Sequence, residues 1–250
     1  MERIEIMNVL IDNVNMNEAI EKIDSFVKSF KYNMVVTPNV DHIVKLQKDE
    51  EFKRVYDNSD LVLVDGQILV WSSKLLRKGL KEKVSGSDLL PNLCEHSVDK
   101  GYKVFFLGGM PGVADKAAKV LKEKQPNLKI VGTYSPPFGF ENDEKENDKI
   151  NNMLLKLKPD ILFVGLGAPK QEKWIFNNKD KYKVPVSLGI GASFDFVAGT
   201  IKRAPKWMQQ CGLEWFFRFL KEPKRLFRRY FIDDSVFILM FINEIFKNKK

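Results

Sequence analysis

The sequence predicts an α/β fold, a Rossmann-like and mostly parallel sheet covered by helices, with a C-terminal basic and aromatic helical appendage. Three observations carry this reading. Short β-rich runs alternate with amphipathic helical stretches as far as residue 189, the order of elements that builds a parallel sheet covered on both faces. Several of those runs are apolar throughout, as strands buried on two sides are. Beyond Gly199 the small β-branched residues give way to Trp, Phe, Tyr, Lys and Arg.

The elements follow in order. Residues Ile4 to Val14 read as a short hairpin or edge strands without evident chemistry. The strand runs are Met34–Thr37, Leu61–Asp65, Val104–Gly108, Lys129–Tyr134, Ile161–Gly165 and Val186–Gly189. Between them the apolar spacing is helical over Asn17–Phe30, Asp88–Lys100, Val113–Gln125, Glu144–Leu157 and Gln171–Asp180. Ser135–Asp148 begins with a Pro-Pro turn and continues acidic and polar, the composition of a loop. The division expected is an α/β body over 1–199 and an appendage over 200–250. Pro223 disfavours helix at the residue before it, so the appendage should hold two short helices with a kink.

Composition excludes several classes. Of 250 residues, 44% are hydrophobic and 30% charged, which is not the balance of a disordered chain. Cys94 and Cys211 form no C-x-x-C pair, and His42 and His96 are the only histidines. A disulfide framework and a zinc site are therefore not expected, and a reducing cytoplasm is. The longest apolar run in the appendage, Val236–Ile242, has seven residues, against the roughly 18–20 that cross a bilayer. The net charge of +8 is unevenly placed. Residues 201–250 carry 12 Lys or Arg and five acids, a net +7, and the other 200 residues carry +1.

In open parallel sheets ligands bind beyond the carboxyl ends of the strands. Those ends offer Thr37-Pro38-Asn39, Asp65-Gly66, Gly108-Gly109, Gly165-Leu166-Gly167-Ala168 and Gly189-Ile190-Gly191-Ala192. Glycines there admit an anion to backbone N–H groups at a helix start, and together they favour a phosphorylated ligand. Each alone serves equally well as a tight βα turn. A dinucleotide fingerprint fits poorly, because neither Gly-x-Gly is followed by the third glycine, and a Walker A sequence is absent. Asp65, after four apolar residues, suits a general base held in a low-dielectric wall. It suits a helix N-cap as well, and Asp195 has the same two readings. His42 reads as a base or as a capping or packing residue. No Asp-x-Asp occurs, so a departing diphosphate would be met by Lys, Arg and backbone N–H groups.

On a single helical projection Arg218, Lys221, Arg225, Arg228 and Arg229 fall on one side. Phe216, Phe219, Leu220, Leu226, Phe227 and Tyr230 fall broadly opposite. Such a helix suits an anionic membrane surface or an anionic ligand. The plainer reading is a helix packed on the core by its aromatics with its basic residues in solvent. Nucleic acid fits less well, since the aromatic face suits packing or lipid better than stacked bases.

Taken together these segments resemble the WecG/TagA/CpsF family of bacterial glycosyltransferases (glycosyltransferase family 26). The likeness runs through Thr37-Pro-Asn-Val-Asp-His, Val64-Asp-Gly, Val84-Ser-Gly-Ser-Asp-Leu, Phe106-Leu-Gly-Gly, Gly165-Leu-Gly-Ala-Pro-Lys-Gln-Glu and Gly189-Ile-Gly-Ala-Ser-Phe-Asp-Phe. It is most specific in Arg203-Ala-Pro-Lys-Trp-Met-Gln and in Gly212-Leu-Glu-Trp with the Arg218, Glu222-Pro-Lys-Arg-Leu and Arg229-Tyr that follow. The TagA branch of wall teichoic acid synthesis is the most similar.

The resemblance implies an inverting, metal-independent transfer without a cofactor. N-acetylmannosamine would pass from its UDP derivative to the 4-hydroxyl of N-acetylglucosamine on undecaprenyl diphosphate. It implies Asp65 as base and Thr37, Asn39, Lys83 and Gln171 around the substrate. It further implies Gly108, Gly109, Gly191 and Asp195 near the nucleotide, Phe138 stacked on uracil, and Arg218, Arg225 and Arg228 folding over the cleft to meet the diphosphate. Attachment to the inner face of the cell membrane and no nucleic-acid partner follow from it, and a homo-oligomer is compatible. The family commonly has Arg where this chain has Lys83, and lysine lacks the two-pronged fork. Other members' donors, such as UDP-N-acetylmannosaminuronate or UDP-glucose, and a nucleotide-sugar or NAD-linked oxidoreductase are the alternatives.

Overall fold

The expected hairpin forms from β1 (Arg3–Ile6) and β2 (Val9–Asp12), paired antiparallel in a two-stranded sheet of their own. The structure is a computed structural model that describes residues 2–29 and 31–247. Helix α1 (Met16–Val27) starts at a capping box in which Asn15 and Glu18 each bind the other's backbone N–H. The last residue expected in that helix, Phe30, lies outside the described residues, as do Lys249 and Lys250 of the basic tail.

The chain then alternates as expected. It runs through β3 (Asn33–Val36), α2 (Val40–Leu46), α3 (Glu50–Asp57), β4 (Leu61–Val62), α4 (Gln67–Leu75), α5 (Gly86–Lys100), β5 (Lys103–Gly108) and α6 (Val113–Lys124). It continues through β6 (Lys129–Tyr134), α7 (Glu144–Leu157), β7 (Ile161–Gly165), α8 (Lys170–Tyr182), β8 (Val186–Gly189) and α9 (Ser193–Ala198). Six strands form one sheet in the order β4-β3-β8-β7-β5-β6, every neighbouring pair parallel. The last two strands are thus inserted at its centre, and the carboxyl ends of β3, β8 and β7 lie side by side.

Alternation along the strands feeds two cores. Met34, Val36, Phe105, Leu107, Leu162 and Val164 face one layer of helices. Val35, Val104, Phe106, Phe163 and Leu188 face the other. Phe106 is fully buried, edge-on to Phe163 at 5.7 Å and 4.9 Å from Phe194. Burying one such ring contributes about 1.5–3 kcal/mol.

Two stretches depart from the sequence reading. The run expected as a strand over Leu61–Asp65 pairs in the ladder only at Leu61 and Val62. The chain still runs beside the β3 segment past that point, with Leu63 N donating to Val36 O and Asp65 N to Pro38 O, each at 2.8 Å, while Val84 N donates to Val64 O at 2.8 Å. The loop expected over Ser135–Asp148 is cut short. Phe140 is buried in the core, and the Asp143 side chain accepts from the backbone of Lys145 and Glu146 to start α7 at Glu144.

The appendage comprises α10 (Lys206–Gln210), α11 (Glu214–Lys221), α12 (Pro223–Arg228), a single π turn over Arg229–Asp233, and α13 (Val236–Lys247). Pro223 breaks α11 from α12 as expected, sitting in the first turn where its missing N–H is harmless. The single projection does not survive these breaks. The interruption at Pro223 and the π turn rotate successive segments, so Arg218 and Arg229 turn toward the protein. Phe216, Leu220, Phe227 and Phe231 turn outward. Leu226 and Phe237 are buried, and Phe237 joins the core that Met34 and Val36 line. Lys78, just past α4, pairs with Glu244 of α13 at 2.8 Å. No described helix is long and apolar enough to cross a membrane.

Candidate active site

Asp65 stands just beyond the edge strand β4, directly before Gly66, whose φ of +140° only glycine adopts readily. Gly66 is the N-cap residue of α4 and no side chain caps that helix, so Asp65 is not a capping residue. Asp65 is half-buried, and burial of its carboxyl group pushes it up to about 7. Lys83 and Arg203 pull it down, while Glu214 and Asp88 push it further up. These four charged groups close on one another. Lys83 Nζ lies 3.2 Å from Asp88 Oδ2 and 3.9 Å from Glu214 Oε2. Arg203 Nη1 lies 2.7 Å from Asp88 Oδ1, and Arg203 Nε lies 3.3 Å from Glu214 Oε1. Asp88 is half-buried, which raises its proton affinity, yet the hydrogen bonds from Arg203 and Ser85 and the charge of Lys83 hold it down at about 2.

The three strand ends beside Asp65 are laced together. Thr37 is buried and its hydroxyl donates to Gly189 O at 3.1 Å. Asn39 caps α2, its side-chain oxygen accepting from His42 N at 3.3 Å. Gln171 is buried, and its Oε1 accepts from Gly167 N at 3.2 Å and from Gly191 N at 3.0 Å. Gln171 Nε2 donates to Glu172 Oε1 at 2.7 Å. A Cβ on Gly189 would come within 2.9 Å of that amide nitrogen. Gly109 N donates to Gly165 O at 2.8 Å, and a Cβ on Gly108 would meet the same carbonyl at 2.5 Å. The N–H groups of Gly109 and Gly191 are therefore engaged within the protein. What these glycines offer a ligand is close approach of the backbone.

Other expected residues lie further out. Phe138 is fully exposed, with Lys170 Nζ 4.6 Å over its ring and Lys170 paired to Glu141 at 2.8 Å. Ser135 Oγ donates to Gly108 O at 3.2 Å and so ties the Phe138 loop to the end of β5. Asp195 does not cap α9. Its Oδ1 accepts from Thr200 Oγ1 at 3.0 Å. The next residue, Phe196, lies between two guanidinium groups, Arg218 at 5.7 Å and Arg203 at 6.0 Å from its centroid. Arg225 pairs with Glu222 and is exposed, as is Arg228. His42 is buried, with Tyr56 Oη 3.0 Å from its Nδ1. Burial holds it down at about 3, neutral at any physiological pH, so the packing reading is the right one.

Sequence reasoning assigned no role to Arg203, Asp88 or Glu214, although each lies in a segment quoted for the resemblance. The signal available was a surplus of paired charge in Ser-Gly-Ser-Asp, Arg-Ala-Pro-Lys and Gly-Leu-Glu-Trp. Asp41 and Arg229 were likewise missed as partners. Arg229 Nη2 lies 3.5 Å from Asp41 Oδ2, and Lys45 Nζ lies 2.8 Å from the same oxygen and 3.4 Å from Ala168 O. The appendage is thereby tied to the loop after β7.

The model of the glycosyl transferase WecG/TagA/CpsF family matches residues 4–250. The chain belongs to this family. Among its relatives, one from Bacillus subtilis (strain 168) is 31% identical over 226 residues, 90% of this chain and 86% of that one. One from Staphylococcus aureus (strain MW2) is 27% identical over 228 residues, 90% of this chain and 87% of that one. Both are named N-acetylglucosaminyldiphosphoundecaprenol N-acetyl-beta-D-mannosaminyltransferase. The family match spans body and appendage alike, so both regions belong to the glycosyl transferase unit.

Proposed function

We propose that the chain transfers N-acetylmannosamine from UDP-N-acetylmannosamine to the 4-hydroxyl of N-acetylglucosamine carried on undecaprenyl diphosphate. The relatives' name supports the sugar and the acceptor. The single observation that carries the chemistry is Asp65, an unpaired carboxylate at the open end of a parallel sheet with its proton affinity raised toward neutrality. A sugar hydroxyl is a weak nucleophile, and a base with a pKa near 7 is matched to removing its proton at neutral pH. Asp65 takes that proton as the oxygen bonds to the anomeric carbon. The bond from that carbon to UDP breaks on the opposite face, and the product is the inverted β-linkage.

The charge that grows on the departing UDP falls to cations and needs no metal in this reading. Arg218, set over Phe196 beside Asp195, is assigned to the diphosphate, with Arg225 and Arg228 behind it on α12. The free face of Phe138 is assigned to uracil. Thr37, Asn39 and Gln171 hold the floor of the cleft in shape, and Lys83 stands beside the base. Exposed Phe227, Phe231, Ile238, Leu239, Ile242 and Phe246, interspersed with Arg225, Arg228 and Lys247, suit the surface of an anionic membrane. The reading therefore places the protein peripherally on the cytoplasmic face, where the lipid-linked acceptor is presented.

Incubation with a panel of UDP-sugars and a short-chain lipid diphosphate N-acetylglucosamine, read by mass spectrometry with and without a chelator, tests this directly. The expected product is a lipid-linked disaccharide of two N-acetylhexosamines, formed from UDP-N-acetylmannosamine at the same rate in chelator. Transfer from a different UDP-sugar alone overturns the donor, and loss of activity in chelator overturns the metal-independent mechanism.

A further inference from the structure

The four-charge ring beside Asp65 draws on two regions of the molecule. Lys83 and Asp88 belong to the body, Arg203 to the segment that leaves it, and Glu214 to the first turn of α11. Each acid contacts both bases, at 2.7 and 3.2 Å for Asp88 and at 3.3 and 3.9 Å for Glu214. The charged and titratable groups facing Asp65 are these four, together with Tyr56 from α3. Two cations this close to a carboxylate would ordinarily pair with it and weaken it as a base. Here none lies within 4 Å of the Asp65 carboxylate among the described residues, and no hydrogen bond reaches it.

The balance is set by Glu214. With it, two acids hold two bases. Without it, Asp88 alone faces Lys83 and Arg203, and the surplus cation has one remaining carboxylate to turn to. We propose that Glu214, carried by the appendage, is a positioning residue for the transfer, holding Lys83 and Arg203 in a closed ring with Asp88 so that the Asp65 carboxylate stays unpaired. This rests on the reading of Asp65 as the base. Glu214 is brought into place by contacts on both sides of it. Gly212 lies so close to Trp71 of α4 that a Cβ there would be 2.9 Å from the indole, and Arg218 lies over Phe196. The appendage thereby does more than cover the cleft, since its docking completes the electrostatic setting in which the base works.

The test is the pH dependence of kcat for the full chain, with wild type, Glu214→Gln and the double variant Lys83→Met/Glu214→Gln compared on the same short-chain acceptor. Gln keeps the shape of Glu214 and can still accept from Arg203, so it removes charge with little disturbance of docking. Wild-type activity is expected to rise with pH through about 7. The Glu214→Gln rise is expected about one pH unit lower, with a plateau reduced about tenfold because the base is weaker. Removing the Lys83 charge as well returns the midpoint toward the wild-type value, whatever the plateau. A purely structural role lowers the plateau without moving the midpoint and gives no return in the double variant. A Glu214→Gln midpoint equal to wild type overturns the proposal while leaving Asp65 as base. A wild-type rate that does not titrate between pH 5 and 9, or an active Asp65→Asn variant, overturns the reading beneath it as well.

Discussion

The body and the appendage bury their apolar residues to very different degrees. Ten of the sixteen exposed large apolar side chains of the described residues lie beyond residue 200, in less than a fifth of the chain. The body has strands β3, β4, β7 and β8 buried throughout, side-chain caps on α1, α2, α3, α5 and α7, and glycine loops locked by Gln171. The appendage has no side-chain cap on α10, α11 or α12, and α11 has no buried residue. It touches the body at points that include Phe237 in the core, the Lys78–Glu244 pair, Arg229 on Asp41, Arg218 over Phe196, Gly212 against Trp71 and the ring beside Asp65. A region built this way leaves much of its apolar surface exposed, the surface proposed above to meet the membrane. The body supplies the strand ends around Asp65, and the appendage supplies Glu214 and an exposed apolar surface.

The sharpest way to break this contrast is to cut the chain after Gly199. The body closes its own sheet and is expected to stay folded by circular dichroism, while transfer to lipid-linked acceptor falls below detection and vesicle flotation is lost. A truncated body with full activity would remove the appendage from the chemistry. Next in size is a change within the body. Gly108→Ala places a Cβ 2.5 Å from Gly165 O at a φ of +107°, and a loss of about 2–4 kcal/mol in denaturant unfolding is expected. A loss under about 0.5 kcal/mol would show that the loops are not locked as described.

A third prediction concerns the stability held back at the base. Burial raises the folded Asp65 pKa from an ordinary 3.8 to about 7. The native state therefore holds a proton that the unfolded chain has released between those values, and stability falls as pH rises through that window. Asp65→Asn removes this loss. Its melting temperature is expected to exceed the wild-type value at pH 8 and to match it at pH 4, and equal melting temperatures at both pH values would contradict the burial. The smallest effect on stability belongs to the appendage surface. Phe227→Ser/Phe231→Ser is expected to change unfolding free energy by less than about 1 kcal/mol, because both rings are exposed. The same variant should weaken sedimentation with anionic vesicles about tenfold. Unchanged vesicle binding would detach the aromatic surface from the membrane.

The body was legible in the sequence because its signals are local. Apolar runs such as Ile161–Val164 and Val104–Leu107 give strands, and helical apolar spacing over Val113–Gln125 and Glu144–Leu157 gives helices. The helices α3 and α4 were not distinguished. Each is short, and α4 begins at an uncapped glycine and buries Leu69, Val70, Ser72 and Ser73 without a clean polar face. Asp65 was readable as a strand-end carboxylate. The ring beside it was not, because its members come from three separate segments, Lys83 with Asp88, Arg203, and Glu214 of the appendage, that meet only in the folded chain. The tail failed as a single projection for a similar reason. Its basic charge was plain in composition, but the break at Pro223 and the π turn at Arg229 decide which arginines turn inward.

In the proposed reaction Asp65 removes the acceptor's proton at the carboxyl end of the sheet. The direct test is the initial rate of N-acetylmannosamine transfer by Asp65→Asn and wild type at pH 8, with UDP affinity measured on the same preparations. The expected rate for Asp65→Asn is lower by about 10²–10⁴ with UDP affinity unchanged. A variant that turns over near the wild-type rate would contradict it.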